Sequence, residues 1–176
     1  MLRAVNVGGT TIKMDRLRAL FAELGYTNVS TYIQSGNVLF TTTAGGSVDH
    51  AAAIERRVAE EIGVSVSALL RSGAQLAQVV SANPFVAQGA DPAKLHVTFL
   101  AAAPEQAQVS AVEVPDVAPD AFRIVGQEVY LHLPGGYGTT KLSNTFWERR
   151  LRMAATTRNW RTVTTLHERA EHDARA

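Results

Sequence analysis

Near the C-terminus, Ala155-Thr156-Thr157-Arg158-Asn159-Trp160 sets two hydroxyls, a guanidinium, an amide and an indole side by side. Such a set suits an anion. The guanidinium fork matches the geometry of carboxylate or phosphate, and amide and hydroxyl groups add hydrogen bonds. The same residues also read as a helix start. Thr156 or Thr157 would serve as the N-cap, and Trp160, Val163, Leu166 and Ala170 fall on one helical stripe. That structural reading uses a threonine and the tryptophan and leaves Arg158 and Asn159 without a task, so these two are the candidate ligand contacts.

The charge around them is uneven. Residues 141–161 hold six Lys/Arg and one Glu, whereas residues 91–140 hold two Lys/Arg and six Asp/Glu. A formal net charge of only +1 hides this basic segment. Global charge therefore argues for neither nucleic acid nor membrane.

Three further stretches combine glycine with polar side chains. In "NVGG", Asn6, Gly8 and Gly9 follow a short apolar run, and exposed N–H groups at such a turn can cradle an anion. A turn needing positive φ explains the glycines equally well. The G-x-G-x-x-G fingerprint is absent, so a dinucleotide site is not supported. In "YIQSGNV", Gln34, Ser35 and Asn37 would line a groove. Ser35 lacks the G-x-S-x-G context of a nucleophile, and a hairpin turn accounts for Gly36 and Asn37. In "PGGYGTTK", Gly135 and Gly136 precede Lys141 at an expected helix start. Thr139-Thr140 separate glycine from lysine, so the Walker spacing fails, although free N–H groups at a helix start still attract anions.

Metal and disulfide chemistry find little support. The five histidines, His50, His96, His132, His167 and His172, are scattered, and cysteine is absent. Glu60-Glu61 are neighbours on different faces of a helix and are expected to be solvated. No metal and no cofactor is expected.

The elements that would position these residues follow from periodicity. Met14, Leu17, Leu20, Phe21 and Leu24 recur at helical spacing, and Gly25 closes the helix. "NVSTYIQSGNVLFTT" reads as a hairpin turning at Ser35-Gly36-Asn37. Ile54, Val58 and Ile62 mark a second helix ended by Gly63, and "VSVSALLRS" reads as a strand. The order is β-α-β-β-α-β, the ferredoxin-like plait. A short helix ends at Asn83-Pro84. "KLHVTFLAA" is then a strand, "PEQAQVSAV" a short helix with Pro104 in its first turn, and "AFRIVGQEVYLHL" a hairpin at Gly126-Gln127. "TKLSNTFWERRLRM" and the Trp160 stripe are helices. The second half reads β-α-β-β-α plus a helix, without a closing strand. The expected class is α+β: two ferredoxin-like (α/β plait) halves with antiparallel sheets and an additional C-terminal helix. The halves span residues 1–82 and 94–176, joined through the turn-rich residues 83–93.

Composition agrees with a globular chain. Of its 176 residues, 46% are apolar and 19% charged, an ordinary balance. Fourteen arginines against three lysines, with abundant Ala and Val, fit a GC-rich genome. No apolar run approaches the ~18 residues of a membrane helix, and the N-terminus lacks a signal-peptide core. The expectation is a soluble, cytoplasmic protein.

"LRAVNVGGTTIKMDRLRALFAELGYTNVSTYIQSGNVLF", "EVYLHLPGGYGTTKL" and "ATTRNWRTVTTL" together resemble a bacterial family known as domain of unknown function 1697. The likeness runs from about Arg3 to Leu166. It implies two ferredoxin-like subdomains, and it implies no activity and no catalytic residues.

The function expected from the sequence is binding of a small anionic or phosphorylated ligand between the two halves. A small enzyme of unknown reaction using the same cleft is the alternative. A nucleic-acid-binding or homodimeric interaction module is the third reading. Tyr32, Tyr130 and His132 would offer stacking surfaces on strands, but the signature of the common RNA-binding plait is missing.

Overall fold

The computed structural model describes residues 1–3, 5, 11–43 and 49–173. The chain divides into two compact units, Met1–Leu70 and Arg71–Ala176. Each is a mixture of helices and antiparallel strands, and the protein is α+β with plait-like halves and a C-terminal helix.

The N-terminal unit runs β1 (Leu2–Arg3), α1 (Met14–Glu23), β2 (Thr27–Tyr32), β3 (Asn37–Thr41), α2 (His50–Ile62) and β4 (Ser67–Ala68). Strands β1 and β4 pair, as do β2 and β3, both antiparallel. The helical spacing read from the sequence is the packing: Leu17, Leu20 and Phe21 of α1 and Ile54 and Val58 of α2 are buried in one core with Leu2, Tyr26 and Val66. Helix α1 ends in a Schellman arrangement. Gly25 N–H donates to Ala22 O, Tyr26 N–H donates to Phe21 O, and Gly25 takes the left-handed φ of +83° that the motif requires. Glu61 is not merely solvated. It accepts two bonds from Arg16, which also binds Glu23, and Glu23 in turn binds Arg57. The guanidinium beside each carboxyl holds Glu61 and Glu23 below the usual carboxylate range.

The C-terminal unit begins with α3 (Gly73–Ser81) and α4 (Pro84–Ala87), followed by a single 3-10 turn at Pro92–Lys94. It continues with β5 (Leu95–Leu100), α5 (Gln106–Ser110), β6 (Ala121–Val125), β7 (Glu128–His132), α6 (Asn144–Leu151), β8 (Ala155–Asn159) and α7 (Trp160–Asp173). The sheet order is β6-β7-β5-β8, all antiparallel. That is the complete plait. The closing strand missing from the sequence reading is β8, and it is made of the residues read there as a helix start.

Strand alternation assigns the faces. Val129 and Leu131 of β7, Leu100 of β5 and Ala155 of β8 join Trp147 and Leu151 of α6 in one buried core. On the opposite face Leu95, Val97 and Phe99 are wholly buried, and Tyr130 donates its hydroxyl to Val79 O of α3. Helix α3 packs closely on α7, where a Cβ built on Gly73 would lie 3.6 Å from that of Ala170. Helices therefore cover both faces of this sheet. Burial pushes the Tyr130 phenol up to about 12. Tyr130 is 1% exposed and presents no stacking surface. Pro104 lies ahead of α5 rather than in its first turn, because Glu105 is the N-cap and shares a capping box with Gln108.

Arg71 opens this unit with a buried clamp. Its Nε binds Glu128 Oε1 at 2.7 Å, and its terminal nitrogen reaches the carbonyls of Leu100 and Gln127. The guanidinium also lies 5.6 Å from the Phe99 ring centroid.

Candidate functional site

The opening motif is a strand, and this changes which of its side chains act together. Ala155 to Asn159 pair with Leu100 to His96 of β5. Thr157 and Asn159 therefore share a face with Thr98 and His96, and Thr156 and Arg158 lie on the other. Threonine is β-branched and favours the strand, where cross-strand hydroxyl pairs add a bond. Neither Thr156 nor Thr157 caps a helix. The cap of α7 is Asn159, whose Oδ1 accepts from Thr162 N–H at 2.8 Å. Arg158 donates to Thr156 Oγ1 at 2.7 Å and to Thr157 O at 2.8 Å, along its own strand. The two ligand candidates thus point to opposite sides of the sheet.

On the Thr157 side a polar network ties the glycine loop to the sheet. Thr157 donates its single hydroxyl proton to Asn144 Oδ1 at 2.6 Å. The 2.7 Å contact between Thr98 and Thr157 hydroxyls must then be donated by Thr98. Tyr137 donates to Thr157 Oγ1 at 3.3 Å and accepts from Asn144 N–H at 3.0 Å. Asn144 is the first residue of α6, so the tyrosine hydroxyl satisfies a first-turn N–H that has no partner within the helix. Strand, loop and helix meet at one hydroxyl, Thr157 Oγ1.

His96 stands beside this network. Its ring stacks on Tyr137 with centroids 5.5 Å apart and planes at 27°. Its Nδ1 is buried and has no hydrogen-bond partner among the described residues. Burial pushes the imidazole below its ordinary range, partly offset by the nearby backbone of Lys94. It is held in the neutral form, because a charged ring would lose solvation there. Residue 96 pairs with Asn159, so the N-cap of α7 is the cross-strand neighbour of His96.

Gly135 and Gly136 bring Tyr137 into place. Leu133 N–H donates to Lys94 O and Gly136 N–H to Leu133 O, which folds the loop back toward β5. Gly136 has φ +85°, a conformation that suits glycine. Thr139 donates to the carbonyls of Gly135 and Gly136. Lys141 is not at the helix start. Ser143 caps α6, and Lys141 Nζ donates to Asp116 O, away from the network.

The remaining candidates belong to the N-terminal unit. Asn6, Gly8 and Gly9 lie outside the described residues. Gln34, Ser35 and Asn37 sit at the β2–β3 turn, with Asn37 buried and donating to Ser35 Oγ at 2.8 Å and Tyr32 O at 3.4 Å. A Cβ on Gly36 would come within 3.0 Å of Leu2 Cβ, so close packing as well as a φ of +71° calls for glycine. Of the eleven sequence candidates, the C-terminal fold gathers Gly135, Gly136 and Asn159 around His96 and Tyr137. Sequence reasoning missed His96, Tyr137, Asn144 and Thr157. The signals available were a lone aromatic inside a glycine loop and a His-x-Thr alternation on a strand.

A family model described as a protein of unknown function (DUF1697) matches residues 1–130. Among solved structures, the conserved bacterial protein SP0830 from Streptococcus pneumoniae aligns with a TM-score of 0.60 at 20% identity, covering 97% of this chain and 96% of that one. This likeness supports the fold and carries no functional assignment. No curated protein matches the chain.

Proposed function

We propose that this chain, which belongs to the DUF1697 family of proteins of unknown function, binds a small anionic ligand at the His96–Tyr137 corner of its C-terminal unit. The observation that carries the reading is the buried Nδ1 of His96, which lacks a partner among the described residues although the hydroxyls of Thr98, Tyr137 and Thr157 beside it are all engaged. A buried polar atom without a bond costs about 1–3 kcal/mol and asks for a reason. Two features favour an anion. No carboxylate takes part in the network described, and the N-terminus of α6 meets it at Asn144 N–H, which now donates to the Tyr137 hydroxyl.

Titration with inorganic phosphate, followed by backbone amide chemical shifts, tests the reading. Saturable shifts clustered at residues 135–137, 144 and 157–161, weakened by added salt and lost in His96→Asn, are the expected result. Shifts scattered over the surface, or insensitive to His96→Asn, would refute it.

A catalytic reading of the same place has one observation in its favour. An imidazole held neutral by burial, with one nitrogen unengaged, is equipped to accept a proton. If it does so in turnover, the rate falls as pH drops through the His96 pKa, and His96→Asn abolishes it.

A further inference from the structure

We infer that Tyr137 is a resident plug: its ring occupies the place on His96 that a planar ring of the ligand takes, and its hydroxyl occupies the place of the ligand's oxyanion. This rests on the anion-binding reading above and specifies the ligand class, an aromatic carboxylate. Three observations converge.

The first is the stack. A flat ring already lies against the imidazole at 5.5 Å and 27°, so this corner demonstrably accommodates a planar group. The second is the pair of bonds at the ring's tip. The Tyr137 oxygen accepts from the first-turn N–H of Asn144 and donates to Thr157, which already accepts from Thr98. A carboxylate oxygen accepts from that N–H more strongly than a neutral phenol does, because charge-assisted bonds are stronger and a helix N-terminus favours negative charge. On release of the plug Thr157 loses one of two incoming donors, and its own proton must turn from Asn144 Oδ1 to the carboxylate oxygen, which would otherwise face it acceptor to acceptor. The third is the loop. Pro134-Gly135-Gly136-Tyr137-Gly138 places three glycines around one aromatic, Gly136 is at φ +85°, and a Cβ at Gly136 or Gly138 would meet nothing within 4 Å. The backbone beside the ring is unobstructed at Gly136 and Gly138, whereas at Gly135 an added Cβ would lie 2.9 Å from Thr139 Oγ1, so opening the loop means releasing the Thr139 bonds to the Gly135 and Gly136 carbonyls.

The plug makes a quantitative demand. A ligand that must displace Tyr137 binds with an apparent affinity reduced by the fraction of molecules in which the site is open. Tyr137→Phe keeps the ring, and hence the fold, but removes both hydroxyl bonds that hold the plug in place. Benzoate, cyclohexanecarboxylate and inorganic phosphate are titrated against the full chain by calorimetry. Benzoate should bind the natural protein more tightly than cyclohexanecarboxylate, which has the same charge without a flat ring. In Tyr137→Phe benzoate should tighten by about tenfold, the change for a closed state that loses its hydroxyl bonds. Phosphate binding with no preference for benzoate over cyclohexanecarboxylate would overturn the ring assignment and leave the anion reading standing. No binding of any of the three overturns both. Benzoate affinity that falls or stays constant in Tyr137→Phe shows that Tyr137 is a ligand contact or a structural prop rather than a plug.

Discussion

Replacing Thr157 by valine removes one oxygen and keeps the shape of the side chain. The structure then gives the loss group by group. Thr98 is fully buried, and its hydroxyl proton would point at a methyl group, an unpaired buried donor worth roughly 1–3 kcal/mol. Tyr137 and Asn144 are only half-buried and can turn toward water, so each loses about 0.5 kcal/mol, the low end of the net range for a hydrogen bond. The sum is about 2–4 kcal/mol, which for a chain of this size lowers Tm by about 5–15 °C. Both tryptophans, Trp147 and Trp160, are buried in the C-terminal unit, so their fluorescence during urea denaturation reads this unit directly. The double variant Thr98→Val/Thr157→Val removes the orphaned donor and should recover about 1–2 kcal/mol of the loss. A single variant costing under about 0.5 kcal/mol, or a double variant no more stable than the single, would show that Thr157 is not the node where strand, loop and helix are joined.

Other consequences are sharper in sign than in size. His96 titrates below its ordinary value of 6.5 in the folded chain, so the unfolded chain binds its proton first as pH falls. Stability should decline from about pH 6.5 downward until the folded-state pKa is passed, and His96→Phe should flatten that part of a pH–stability curve. Arg71→Met leaves Glu128 charged in a largely buried place and strips a donor from two carbonyls, so denaturation should report a loss of about 3–5 kcal/mol. Gly25 and Gly36 both have positive φ, but only Gly36 faces an obstacle, Leu2 Cβ at 3.0 Å from an added Cβ. Gly36→Ala should therefore cost more than Gly25→Ala in thermal denaturation, and equal losses would mean that backbone strain alone sets both.

Where periodicity and punctuation are local, the sequence was readable. Leu17, Leu20 and Phe21 followed by Gly25 announced α1 and its Schellman end, and Gly126-Gln127 announced the β6–β7 turn. Strand β8 was not readable. Its five residues precede an apolar helical stripe, and two threonines before Trp160 look like caps. What makes them a strand is β5, fifty-nine positions away at the Thr98–Thr157 pair, and nothing nearby in the chain records that partner. The same distance hid the candidate site. Tyr137 earns its role through Thr157 and His96, and Asn159 turned out to be the α7 cap that the threonines had seemed to be. Lys141 was drawn to the helix start by its spacing from the glycines, but Ser143 supplies the cap.

Because helices wall off both sides of the four-stranded sheet, this half of the molecule has surrendered the flat platform on which many plaits receive their partners. On the proposed reading, recognition falls to the rim where strands end and loops begin, and a selection for new specificity should concentrate its changes in the 134–140 loop.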